Sequence, residues 1–143
     1  MNNKDIVDDF VEAVRAEVAE PFGKPMDVIG FSEVGKDVAR ALLPVIGKKE
    51  ICFFDEEIKS DEVFHYLDFP DMLEKSEIMI FTVELPEKYY ECLGRLNKKC
   101  KVFIPKKFKE TIAVLEEAGC GDIIKTSNMI RRSGVFNYEI FLK

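Results

Sequence analysis

The sequence predicts an α/β fold: a three-layer sandwich around a mostly parallel sheet, with an extra N-terminal helix and a C-terminal antiparallel hairpin. Three observations lead there. Short apolar runs alternate with stretches of helical period along the chain, the pattern of β-α-β units with right-handed crossovers. The runs Ile51-Cys52-Phe53-Phe54 and Ile78-Met79-Ile80-Phe81 are continuously apolar, as strands covered on both faces tend to be. The run Asp27-Val28-Ile29-Gly30 leads straight into the turn Gly30-Phe31-Ser32-Glu33-Val34-Gly35 and then into a helical pattern.

Each element has its own reason. Residues 4–20 form an amphipathic helix, because Ile6, Phe10, Val14 and Val18 recur every four residues and Val7 and Val11 widen the stripe. Pro21, Gly23 and Pro25 end it. A helix over 34–46 presents Val34, Val38, Ala41, Leu42 and Val45; Pro44 is expected to distort or end it, and Gly47 to cap it. The strand over 50–54 stops at Asp55-Glu56-Glu57. A loop or short helix is expected near Glu62–Tyr66, and a short helix from Pro70 to Lys75. The strand over 78–83 is followed by a helix starting at Pro86, with Tyr89, Tyr90, Leu93 and Leu96 inward. Val102-Phe103-Ile104 is a strand closed by Pro105. Phe108, Ile112 and Leu115 mark a further helix, capped by Gly119 and Gly121. Ile123 and Ile124 open another strand. Met129–Arg132 and Val135–Leu142, joined at Ser133-Gly134, predict the hairpin.

A length of 143 residues fits one domain over 1–143. A chain of this size buries roughly two-thirds of its unfolded surface, so its core needs no staples. The four cysteines, Cys52, Cys92, Cys100 and Cys120, are scattered and form no C-x-x-C pair, which points to free buried thiols and a reducing, cytoplasmic setting. No apolar run is long enough to span a membrane, and the start Met1-Asn2-Asn3-Lys4-Asp5 lacks a signal-peptide profile. The net charge of −6 disfavours a nucleic-acid backbone as partner. The expected partner is a nucleotide-containing small molecule, with a homodimer possible through an unassigned surface.

In open parallel sheets, ligands bind outside the carboxyl ends of the strands. That rule selects Gly30, Phe31, Ser32, Glu33 and Gly35 after the first strand, then Asp55 and Glu56 after the second. Thr82 and Glu84 end the third, Lys106 and Lys107 follow the fourth, and Ser127 and Asn128 follow the fifth. The candidate cofactor-binding set is Gly30, Phe31, Ser32, Gly35, Asp55, Thr82, Glu84 and Lys106. A larger side chain at Gly35 is expected to block a ligand and spare the fold. Lys98, Lys99 and Lys101 precede the fourth strand and belong to the opposite edge.

The Gly30–Gly35 turn, with Asp55 ending the next strand, resembles the dinucleotide fingerprint of Rossmann-type domains. The resemblance covers residues 26–104 in element order and implies a three-layer Rossmann-like sandwich that binds NAD(P). In it Gly30 makes the tight turn, Gly35 lets helix and strand pack closely, and Asp55 binds ribose hydroxyls. The motif departs at Ser32, which holds the middle glycine position, and at Glu33, which adds a negative charge. Gly30-Phe31-Ser32 also resembles the turn of standalone coenzyme-A-binding domains, which implies a hydroxyl near the phosphates with Lys106 in reach. Those domains usually carry Pro-Val-Asn-Pro after the second strand, where this chain has Phe54-Asp55-Glu56-Glu57. In element order and Lys/Glu/Ile-rich composition the chain is similar to small archaeal proteins of unknown function with a Rossmann-like fold.

Other constellations are weaker. Gly30-x-x-x-x-Gly35-Lys36-Asp37 is close to a P-loop, but Asp37 stands where Ser or Thr must hold magnesium. The turn lacks the dense glycines of an S-adenosylmethionine site. His65 is the one histidine, so any Ser–His or Cys–His catalysis would depend on it. Asp55 and Glu84 could pair for acid–base work if their strands were adjacent. The reading is therefore a non-catalytic ligand-binding or regulatory domain. The alternatives are a protein-interaction domain with a vestigial site, or a nucleotide- or S-adenosylmethionine-dependent enzyme.

Overall fold

The computed structural model describes residues 3–47, 51–55, 65–66, 69–119 and 122–126. Within them the chain runs α1 (Asn3–Glu17), β1 (Met26–Ile29), α2 (Glu33–Ile46), β2 (Ile51–Phe54), β3 (His65–Tyr66), α3 (Phe69–Lys75) and β4 (Ile78–Phe81). A 3₁₀ helix (Glu87–Arg95), β5 (Lys101–Pro105), α4 (Lys109–Glu117) and β6 (Asp122–Thr126) follow.

All six strands pair in parallel, in the order β3-β2-β1-β4-β5-β6. This is the order of a doubly wound, Rossmann-like sheet. Strand residues alternate between two cores. Val28, Phe53, Ile80 and Phe103 meet Phe10 and Val14 of α1 and Val38 and Leu42 of α2. On the other face Ile29, Met79, Phe81, Val102 and Ile104 meet Met72 and Leu73 of α3, Leu93 of the 3₁₀ helix and Ile112 and Leu115 of α4. Each such buried side chain is worth roughly 1.5–3 kcal/mol of apolar transfer. The three layers are those the apolar runs predict, and α1 supplies the extra helix.

The structure corrects several expectations. Helix α2 passes through Pro44 to Ile46. A proline forfeits one backbone hydrogen bond, and two features offset that loss here: Leu42 and Ile46 are buried, and the Gly47 N–H donates to the Leu43 carbonyl. His65 and Tyr66 form neither loop nor helix but a two-residue edge strand, in register with Cys52 and Phe53. The segment after Pro86 is a 3₁₀ helix rather than an α-helix; the tighter winding sets Leu93 and Leu96, three residues apart, into the core. Of the thiols, Cys100 is buried but Cys52 and Cys92 are only half-buried. The predicted hairpin, Ser127, Asn128, Glu56 and Cys120 lie outside the described residues. Among the described residues no helix is long and apolar enough to cross a membrane.

Candidate functional site

β1 and β4 are neighbours whose chains leave the sheet toward opposite faces, α2 toward one and the 3₁₀ helix toward the other. The crevice opens where they diverge. Gly30 starts it with φ +109°, a left-handed conformation that L side chains rarely adopt. A Cβ on Gly30 would lie 2.6 Å from the Thr82 hydroxyl oxygen and 3.0 Å from both Val83 methyls. A Cβ on Gly35 would lie 2.2 Å from the carbonyl oxygen of Gly30. The first turn of α2 thus rests directly on the end of β1. The expectation that a larger residue at Gly35 spares the fold is overturned by that distance, because the obstructing atom is backbone.

Hydrogen bonds lock the same crossing. The Gly30 N–H donates to the Phe54 carbonyl at 2.7 Å. The Thr82 N–H and hydroxyl both donate to the Ile29 carbonyl, at 3.0 and 2.7 Å. Ser32 is the N-cap of α2, and its hydroxyl accepts from the Gly35 N–H at 3.2 Å. Its φ of −104° is extended backbone open to any residue, so a serine fits this position of the turn without strain. One Asp55 carboxylate oxygen accepts from the Phe31 N–H at 3.0 Å. The acid ending β2 is therefore joined to the turn itself.

The Phe31 ring stands edge-on to Phe53 at 4.9 Å, with the Lys36 ammonium 4.5 Å above its face. Lys36 also lies 3.9 Å from the exposed Glu33 carboxylate. The charge of Glu33, which opposes phosphate binding, thus has a cation beside it. Exposed pairs of this kind are weak, on the order of 0–1 kcal/mol.

The structure brings Gly30, Phe31, Ser32, Gly35, Asp55 and Thr82 together in one bonded unit. Glu84 is exposed on the same edge. Lys106 lies one strand further out, its N–H donating to the Thr126 carbonyl at 3.1 Å. Asp55 and Glu84 do not follow adjacent strands: β1 separates β2 from β4, a spacing of about 10 Å across the sheet. The lysines divide as expected. Lys101 pairs with Asp122 at the start of β6, at 2.9 Å, and Lys98 donates to the Ala118 carbonyl. His65 sits on β3, two strands from β1 and outside the crevice. The sequence pattern marks Tyr89 only as core. In the fold it joins Phe54 and Phe69 in an aromatic cluster, with ring centroids 4.5–5.4 Å apart, directly before Asp55. Among the described residues no group of three or more His, Cys, Asp or Glu is placed to hold a metal.

No family model matches the chain, and no curated protein matches it in sequence. Solved structures share its fold. A dipicolinate synthase chain from Bacillus halodurans superposes with a TM-score of 0.66 at 13% identity, covering 85% of this chain and 45% of that one. The D-isomer specific 2-hydroxyacid dehydrogenase from Lactobacillus delbrueckii ssp. bulgaricus, in its NAD-complexed form, gives 0.55 at 13% identity, covering 85% and 43%. D-lactate dehydrogenase with NAD+ from Lactobacillus jensenii gives 0.55 at 14%, covering 85% and 42%. The chain spans less than half the length of these three proteins. At such identities the likeness establishes the Rossmann-like fold.

Proposed function

We propose that this domain binds a nucleotide-containing small molecule, without itself catalysing a reaction, in the crevice between β1 and β4. The observation that carries this reading is the close seat of α2 on β1. Gly35 packs against the Gly30 carbonyl and so sets the start of α2 at the end of β1, where the helix dipole favours a phosphate that could take over the Gly35 N–H from its Ser32 cap. Two proteins of the same fold, solved with NAD bound, support it. A dinucleotide is thus the first ligand to try, and coenzyme A the second. Asp55 would meet a ribose by exchanging its bond to Phe31, and Lys106 would approach a more distant phosphate. The non-catalytic part rests on the position of His65, away from the crevice, and on the separation of Asp55 from Glu84.

A thermal-shift panel with NAD, NADP, coenzyme A, S-adenosylmethionine, ATP and AMP tests the reading. A ligand at a hundred times its Kd stabilises by about 2.7 kcal/mol. Ser32→Asp is the informative variant. Aspartate is as good an N-cap as serine, so the fold persists, but its charge repels a phosphate at that point. The expected result is a shift in the wild type that Ser32→Asp removes. If no compound shifts the melting point, or if the shift survives Ser32→Asp, the site does not bind as proposed.

A further inference from the structure

Asp27 lies in β1 between the core residues Met26 and Val28 and is only 3% exposed. Among the described residues no salt bridge reaches it. Its carboxyl is in reach of the side chain of Ser76, which is fully buried just before β4. The Ser76 hydroxyl donates to the Ile78 carbonyl at 3.0 Å, and the Cys100 thiol has both the Ser76 hydroxyl oxygen and the Lys101 carbonyl as acceptors at 3.7 Å. Cys100 immediately precedes β5. The neighbouring strands set Cys52 and Met79 beside Asp27 in register. Among the described residues, the titratable groups that register and contacts set next to this cluster are two thiols, Cys52 beside Asp27 and Cys100 beside Ser76, with His65 one strand beyond Cys52 in the same register row.

Proton counting gives this cluster two states. Ser76 has a single hydroxyl proton. With Asp27 neutral, the carboxyl O–H donates to the Ser76 oxygen, and Ser76 keeps its proton on the Ile78 carbonyl. With Asp27 ionised, the carboxylate can only accept, and it competes with Ile78 for that proton. We propose that Asp27, Ser76 and Cys100 form a proton-operated switch, in which a neutral Asp27 leaves Ser76 bonded to the start of β4 and an ionised Asp27 draws the hydroxyl away. β1 and β4 carry Gly30 and Thr82 at their other ends, so the switch sits beneath the two strands that frame the crevice.

Burial pushes the Asp27 carboxyl from its ordinary 3.8 up to about 7, against the Ser76 hydrogen bond, which lowers it. The unfolded chain releases this proton near 3.8 and the folded chain near 7. Folding therefore retains a proton between those values, and stability falls as pH rises through the window and levels off above it. The test is denaturant unfolding of the full chain across that range, wild type against Asp27→Asn. Inside the window the wild-type unfolding constant should rise by about tenfold per pH unit relative to the variant. Ser76→Ala, which removes the donor to the ionised form, should move the upper end of the window to higher pH. In the wild type, the ¹³C shifts of the Asp27 carboxyl and the Ile78 carbonyl should titrate with one shared midpoint near neutrality. Parallel pH profiles for wild type and Asp27→Asn would overturn the proposal. So would a carboxyl midpoint in the ordinary range, or an Ile78 carbonyl that does not titrate, and these two readings hold even if Asp27→Asn fails to fold.

Discussion

The two ends of β1 both carry polar chemistry, but they handle it in opposite ways. At the carboxyl end, Asp55, Ser32 and Thr82 each bond to backbone at a rim open to solvent. At the amino end, Asp27 and Ser76 lie within reach of each other inside the core. A rim group can trade its backbone partner for a ligand or water at little net free energy. A buried group has no such exchange and answers a change in surroundings by changing its protonation state. The difference separates a place where the protein can bind from a place where it can titrate.

The largest effect expected from breaking this contrast is at Gly35. Gly35→Ala sets a Cβ 2.2 Å from a backbone oxygen, so α2 must move off β1 and the rim comes apart. A loss of about 3–5 kcal/mol is expected, or roughly 10 °C or more in Tm for a domain of this size. Gly94→Ala is the control, because nothing lies within 4 Å of its added Cβ. It should leave stability within about 1 kcal/mol of wild type. Equal losses at the two positions in thermal unfolding would show that the close seat of α2 is not what holds the rim.

The buried end should give a smaller effect that depends on pH. Between about pH 5 and pH 8 the Asp27 proton should account for roughly 2–3 kcal/mol of lost stability. Most of that loss should be absent from Asp27→Asn. Above the folded-state value near 7 the dependence flattens, since both states have then lost the proton.

The rim is far more legible in the sequence than the buried end. Two glycines five residues apart, between an apolar run and a helical pattern, are a local signal, and Asp55 at the end of the next apolar run is another. The carboxyl-edge rule then adds Thr82 with no knowledge of contacts. Asp27 gives no comparable signal. An acid in the apolar run Met26–Ile29 reads as a strand boundary, and only tertiary structure places Ser76 against it. His65–Tyr66 escapes a sequence reading because two residues are too few to show a period. The 3₁₀ helix reads as an α-helix because Tyr89, Tyr90, Leu93 and Leu96 fit either winding. At Gly35 the sequence locates the residue, while the cost of filling it depends on a carbonyl oxygen that no sequence pattern reveals.

The smallest expected effect isolates the double use of Ser32. Its hydroxyl accepts from the Gly35 N–H at 3.2 Å, which satisfies one of the donors at the start of α2 that would otherwise face a phosphate. Ser32→Ala should cost about 1 kcal/mol in stability through the lost cap, measurable as a shift of the denaturation midpoint with an unchanged slope. The same change frees the Gly35 N–H, so a phosphate-bearing ligand that takes the place of the cap should stabilise Ser32→Ala at least as much as it does the wild type. Ser32→Asp should do the reverse, keeping the stability and losing the ligand. If the two substitutions instead move stability and binding in the same direction, Ser32 acts on the ligand only through the fold, and the rim at this point is structural.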